Sequence, residues 1–138
     1  MKWQFPVQIV AGAVNRIVLA LNYVFQLGGI AGVIVLPTFG AAVVIDNTLG
    51  DIQRVIANAA TAPTIGAPAS NGVDGQYLTI IIRNASGGAM GATTFNAAYH
   101  LAAAWVNPAN LTERSVTFRG NGAGLWYELY RNATDVTT

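Results

Sequence analysis

The chain has 138 residues, of which 53% are hydrophobic and only 9% are charged. A chain of this size is typical of one domain that buries about two-thirds of its unfolded surface, whereas ordinary soluble domains carry roughly 25% charged residues. A monomer so poor in charge is hard to keep soluble, so we expect much of its surface to be covered by identical subunits or by a larger assembly. The absence of cysteine excludes a disulfide framework and a thiolate metal site.

The charged residues are scattered along the chain and give a formal net charge of +1. Lys2 and the six arginines form no basic stripe interleaved with aromatic residues, which nucleic-acid binding would need. The sequence therefore argues against nucleic acid as a partner.

The first part of the chain is strongly apolar, and residues 17–45 contain no charged side chain. This stretch exceeds the roughly 20 residues that cross a bilayer as a helix. In residues 16–27, however, the large apolar side chains fall at every second position, which is the period of a strand. Residues 3–9 repeat the pattern. We therefore predict strands in this part of the chain and keep a membrane anchor as an alternative.

Further short strand candidates follow, separated by turn-forming pairs such as Asn71-Gly72, Asp74-Gly75 and Gly87-Gly88. About eight or nine short strands in one chain predict an all-β domain, either a β-sandwich or a jelly roll. Residues 59–75 hold few large apolar side chains and are interpreted as a long ordered connection. The predicted strands lie in residues 30–36, 41–46, 52–57, 77–83 and 99–105 and in the two arms of a hairpin within residues 114–131.

The stretch "QYLTIIIRN" alternates in a way that gives a strand two partly apolar faces. Leu78, Ile80 and Ile82 fall on one side and are predicted to face the core. The other row is half apolar as well, which suggests that the outer face of the sheet lies against a neighbour. That row consists of Tyr77, Thr79, Ile81 and Arg83.

The closing hairpin "RSVTFRGNGAGLWYELYR" shows the same feature. Its first arm places Val116 and Phe118 toward a core, with Arg119 on the other side. The second arm has one row that matches a core and one that mixes two aromatics with a carboxylate. The core row is Leu125, Tyr127 and Leu129, and the mixed row is Trp126, Glu128 and Tyr130.

Residues that carry catalysis are scarce and poorly arranged. His100 is the only histidine, so a histidine metal cluster is excluded, and no serine lies in a nucleophile-elbow pattern. We interpret His100 as a residue at a sheet edge or interface. The glycine-rich stretch 120–124 leads into a strand rather than a helix, so it is not a dinucleotide fingerprint. The chain is predicted to be non-enzymatic, with no cofactor and no metal site.

Several motifs in residues 61–131 resemble β-rich modules of tailed-bacteriophage virion proteins, found in fibres and in capsid-attached decoration proteins. The resemblance rests on "TAPTIGAP", "NGVDGQYLTIIIRNASGGAMG", "AWVNPANLTERSVTF" and "LWYELYR". It implies a homotrimer that binds the major capsid protein on the capsid exterior and reinforces the shell as a decoration, or cement, protein. We predict that the whole chain, residues 1–138, is one β domain with the phage-type module in residues 61–138. The alternation in residues 1–60 predicts apolar strands that contact the capsid or other subunits.

Under this hypothesis the mixed row of the hairpin faces another subunit or the capsid lattice, because aromatics and arginine are favoured at interface centres. The proposed contact residues are Arg119, Trp126, Glu128 and Tyr130. One alternative is a tail-fibre or spike component. Another is a carbohydrate-binding β-sandwich in which Trp105, Trp126 and Tyr130 form a stacking platform for sugar rings.

Overall fold

The computed structural model of the protein describes residues 30–137. Within this range the backbone forms nine strands and no helix, which confirms the predicted all-β class. The strands are β1 (Ile30–Val35), β2 (Ala42–Ile45), β3 (Gly50–Ala57), β4 (Thr64–Pro68), β5 (Asp74–Asn84), β6 (Thr94–Phe95), β7 (Tyr99–His100), β8 (Thr112–Asn121) and β9 (Trp126–Thr137).

The first six strands alternate between two sheets, so the chain winds in stacked coils. Strands β1, β3 and β5 pair in parallel in the larger sheet, and β2, β4 and β6 pair in parallel in the smaller one. One full coil separates Ile52 on β3 from its register partner Thr79 on β5. The result is a solenoid-like stack. The predicted sandwich or jelly roll is not confirmed, because a jelly roll is built from antiparallel Greek keys.

The last long strands extend the larger sheet in the antiparallel direction. Strand β8 pairs with β5, β9 pairs with β8, and the short β7 lies parallel to β9 at the edge. The order in this sheet is β1-β3-β5-β8-β9-β7. The predicted hairpin is therefore present as β8 and β9, and its loop contains Gly122 and Gly124 at φ 73° and 86°, a backbone region that favours glycine.

The core lies between the two sheets and is filled by alternate residues of the strands. Leu78, Ile80 and Ile82 of β5 have no exposed surface, as the alternation predicted. Three aromatic rings close one end of the core, with centroid distances of 5.6 Å between Phe95 and Tyr99 and 4.9 Å between Tyr99 and Phe118. Burial raises the pKa of the Tyr99 hydroxyl, so this group stays protonated. The cluster also contains Val43, Ile45, Val55, Ala57, Ile65, Met90, Val116 and Trp126.

Buried side-chain amides hold the turns where the chain passes from one sheet to the other. Asn47 donates to the Ser70 carbonyl at 3.1 Å and accepts from the Ser70 amide at 2.8 Å, as a neighbouring strand would. Gln53 donates to the carbonyls of Asp46 and Gly50, both at 2.9 Å. Since turn backbone cannot be buried without partners, these amides let the polypeptide cross the end of the core.

The structure also departs from the predicted strand positions. The segment interpreted as a connection, residues 59–75, contains β4, whose low content of large side chains hid it. The strand predicted over residues 99–105 is only Tyr99–His100. The strands predicted in residues 3–9 and 16–27 lie outside the described residues. Of the membrane alternative in residues 17–45, the described part holds β1 and β2, and no helix within residues 30–137 is long and apolar enough to cross a bilayer.

Replacing Asn47 by Ala should destabilise the protein, because both Ser70 backbone groups would lose their partner in a half-buried place. We expect a loss of about 2 kcal/mol in the free energy of unfolding, measured by urea denaturation. The matched control is Asn58→Ala at an exposed position, which should change stability by less than about 0.5 kcal/mol. Equal effects of the two substitutions would show that Asn47 does not support the turn.

Candidate functional site

The outer face of the larger sheet, which points away from the core, carries a line of aromatic and basic side chains. Strand register places Tyr77 of β5 beside Arg119 of β8, Arg119 beside Tyr127 of β9, and Tyr127 beside His100 of β7. We call these residues the aromatic strip. Because directly opposed residues on neighbouring strands lie about 5 Å apart, the strip runs continuously across the sheet along the direction in which the coils stack.

The rings of the strip are presented to solvent in defined orientations. Tyr77 is 57% exposed and Tyr127 is 45% exposed. The imidazole of His100 stacks on the Tyr127 ring, with the centroids 4.8 Å apart and the planes at 19°. This contact holds the Tyr127 ring from the side of His100. The prediction of His100 at a sheet edge is confirmed, because β7 is the edge strand of the larger sheet.

A second row on the outer face continues the apolar surface. Register aligns Ile34, Ile52, Thr79, Thr117 and Tyr130 across five strands. The hydroxyls of Thr79 and Thr117 hydrogen-bond to each other at 2.9 Å, which satisfies one of their two donors within the sheet. Tyr130 and Ile34 stand at the two ends of the row and are 64% and 52% exposed. This row therefore carries no charged side chain.

Two ion pairs lie on the outer face. Arg119 forms a solvent-exposed ion pair with Asp74 at 3.5 Å. Arg54 reaches Glu113 at 2.6 Å on the part of the face farther from the strip. A groove of about 290 Å³ borders the strip, lined by Asp74, Arg119, Gly120, Asn121, Tyr127 and Leu129.

The four residues predicted to contact a partner fall on two different sides of the sheet. Arg119 and Tyr130 lie on the outer face, with 54% of the Arg119 side chain exposed. Trp126 and Glu128 do not join them. Trp126 has no exposed surface, so no partner can touch its side chain in the folded chain. Its assignment to a partner surface is corrected: it is a core residue.

Two glycines make room for the Trp126 indole. A Cβ at Gly72 would lie 2.8 Å from the ring, and one at Gly120 would lie 3.2 Å from it. Both distances are too short for a side chain without displacement of the ring. The glycines therefore let the backbone approach the ring closely and seal it from solvent.

A β-bulge explains why simple alternation does not place every residue of β9 on the correct side. Thr117 pairs with Tyr130 while the next residue, Phe118, pairs with Glu128, so Leu129 is an extra residue on β9. The bulge places Tyr130 on the same face as Tyr127, although simple alternation separates them. Tyr127 and Leu129, predicted to face the core, are 45% and 48% exposed.

Glu128 has a structural contact instead of an exposed position. Its carboxylate forms a two-pronged pair with the Arg131 guanidinium and accepts the Ala102 amide at 2.8 Å. Arg131 also donates to the carbonyls of Ala103 and Ala104, at 2.9 and 3.0 Å. The pair thus fastens the segment after β7 to the sheet. The hydrogen bonds from Arg131 hold the pKa of the Glu128 carboxyl below its usual range.

Within residues 30–137 no three His, Asp or Glu side chains are grouped as metal ligands. No protein-family model matches the chain, and no similar protein was found among curated proteins or solved structures.

Removing the charge of Glu128 should reduce both stability and its dependence on pH. A carboxyl with a lowered folded-state pKa contributes stability above its unfolded pKa, and that contribution is lost as the pH falls through the folded value. We expect Glu128→Gln to cost about 1 kcal/mol at neutral pH and less in acid, measured by urea denaturation across pH. Asp74→Asn, at an exposed ion pair, is the control and should change little. An unchanged pH profile for Glu128→Gln would contradict the role assigned to this pair.

Proposed function

We propose that this chain is a non-enzymatic structural subunit of a tailed-phage virion and that it assembles as a homotrimer through the outer face of its larger sheet. The motifs in residues 61–131 support the virion setting. The observation that carries the association is the exposed apolar surface formed by Tyr77, Tyr127, Leu129, Tyr130 and Ile34.

Burial of such a surface between subunits is physically favourable. Large contiguous apolar areas on soluble proteins mark association sites, and tyrosines and arginines are favoured at interface centres. The hydroxyls of Thr79 and Thr117 already bond to each other, so only one hydroxyl hydrogen of the two needs a partner when the face is covered. Two ion pairs on the face, Arg54–Glu113 and Arg119–Asp74, are formed within the chain, which lowers the cost of removing water around them.

The direction of the coil stack favours one of the two proposed positions of the subunit in the virion. The outer face runs along the direction in which the coils stack, because the larger sheet has six strands side by side. Three such faces can pack around an axis parallel to the stack, as in a fibre or spike. This geometry favours a fibre or spike component over the capsid decoration protein that the sequence predicts. Co-sedimentation with empty capsids separates the two, since only a decoration protein binds them.

Substitution of both Tyr77 and Tyr130 tests whether the outer face forms the proposed trimer. The wild-type chain should have a solution mass of three times its 14.4 kDa, measured by light scattering or native mass spectrometry. Lysine at both positions would bury two charges at the interface, so we expect association to weaken roughly a hundredfold or more, with an unchanged circular dichroism spectrum.

The matched control is Val44→Lys. Val44 is 73% exposed and lies on β2 of the smaller sheet, away from the proposed interface. This variant should keep the wild-type mass. A wild-type chain that stays monomeric at all concentrations, or a doubly substituted chain that still forms trimers, would contradict the proposal.

A second candidate, saccharide binding, is favoured by the groove beside the aromatic strip. Sugar rings stack on exposed aromatic faces and hydrogen-bond to nearby charged and amide groups. Tyr127 offers the ring, while Asp74, Arg119 and Asn121 line the same groove. The platform predicted from Trp105, Trp126 and Tyr130 does not form, because Trp126 lies in the core and Trp105 is partly buried against it.

If saccharides bind in this groove, Tyr127→Ala should weaken their binding by about tenfold, because one stacking contact is lost. Oligosaccharides are screened on an array, and the hits are measured by calorimetry. Tyr130 does not line the groove, so Tyr130→Ala is the control and should bind as the wild type does. Absence of binding across the array, or equal binding by Tyr127→Ala, would remove this candidate.

A further inference from the structure

The chain contains two Asn-Gly pairs, Asn71-Gly72 and Asn121-Gly122. Their asparagine side chains differ in the hydrogen bonds that they make. An asparagine followed by glycine can cyclise, because glycine has no Cβ to hinder the approach of its backbone nitrogen to the asparagine side chain. We propose that Asn71 is a site of spontaneous conversion to aspartate and isoaspartate and that Asn121 is protected from it. This inference is independent of the virion role.

Asn121 is held in place by the hairpin loop. Its side-chain oxygen accepts the amide of Ala123 at 2.9 Å and that of Leu125 at 3.1 Å. Its backbone amide donates to the Leu125 carbonyl at 3.1 Å. The side-chain carbonyl carbon cannot turn toward the Gly122 nitrogen without breaking both bonds to the side-chain oxygen. Cyclisation at this pair therefore requires the loop to open first.

Asn71 has no such restraint. Its residue is exposed, and within residues 30–137 its side-chain amide makes no hydrogen bond. The side chain rests against Gly124, where a Cβ would lie 2.8 Å from the amide oxygen. The Gly72 nitrogen donates one long bond, 3.2 Å, to the Ser70 hydroxyl, which can rotate away. No hydrogen bond of the Asn71 side chain therefore has to break before its carbonyl carbon meets the Gly72 nitrogen.

The reaction balances with water as the only co-reactant. The Gly72 nitrogen loses its proton and attacks the side-chain carbonyl carbon of Asn71, so a C–N bond forms. The bond from that carbon to the side-chain nitrogen breaks, and ammonia leaves with the proton. Water then opens the five-membered imide at either carbonyl, giving aspartate or isoaspartate, with no oxidation or reduction.

The position of this loop gives the modification a structural consequence. Gly72 packs directly on the buried indole of Trp126. The loop is pinned by two hydrogen bonds between Val73 and Gln76, at 3.0 and 3.2 Å. Isoaspartate adds one backbone carbon immediately before Gly72. The lengthened loop no longer fits over the ring, so Trp126 becomes accessible to water.

The test is incubation of the purified full chain at mildly alkaline pH, with peptide mapping by mass spectrometry and an isoaspartyl methyltransferase assay. Asn71 should convert at least about tenfold faster than Asn121, since two hydrogen bonds protect the latter. In urea the two pairs should convert at similar rates. The aged protein should show red-shifted tryptophan fluorescence, and Asn71→Gln, which is one methylene too long for the five-membered imide, should show no shift.

Conversion of Asn121 as fast as Asn71 in the folded chain would overturn the proposal. So would an Asn71 that stays intact in the folded chain while it converts in urea. A fluorescence shift that Asn71→Gln also shows would disprove the link between this loop and Trp126.

Discussion

Strand β5 is the element on which the rest of the described fold depends, because the direction of strand pairing changes there. It pairs in parallel with β3 on one side and antiparallel with β8 on the other. Its inward row of Leu78, Ile80 and Ile82 has no exposed surface. Burying three large aliphatic side chains contributes on the order of 5 kcal/mol or more, so a shift of this strand by one residue would be strongly unfavourable. The register of β5 thus fixes the coils before it and the hairpin after it.

The same register determines what the outer face presents. When Leu78 and Ile80 point inward, Tyr77 and Thr79 must point outward, and pairing with β8 and β9 brings Arg119 and Tyr127 into line with Tyr77. The aromatic strip is therefore a direct consequence of core packing on the other side of the sheet. The bulge at Leu129 then adds Tyr130 to this surface. The structural role in assembly that we propose would account for both the low charge of the chain and the position of its exposed rings.

Residue alternation was sufficient to predict the all-β class, the strand around Ile80 and the closing hairpin. It failed where the physical signal was weak or interrupted. Strand β4 has few large side chains, so the alternation of apolar and polar residues in it is weak. The parallel connectivity depends on pairings between residues that are far apart in the sequence, which the alternation within one segment does not predict. The bulge reverses the alternation within β9, so simple alternation does not place every residue of this strand on the correct side. Trp126 is buried because Gly72 and Gly120 leave space for its ring. This contact joins three separate segments of the chain, so it cannot be predicted from the sequence of any one of them.

Copies of this chain cover the outer face of the larger sheet in the assembly that we propose. Covalent footprinting of the tyrosines, followed by mass spectrometry over a range of protein concentrations, measures this directly on the unmodified chain. We expect Tyr77, Tyr127 and Tyr130 to be reactive in dilute solution, as their exposure requires, and to become protected together as the concentration rises. Reactivity of these three tyrosines that does not change with concentration in a sample that stays monomeric would contradict it.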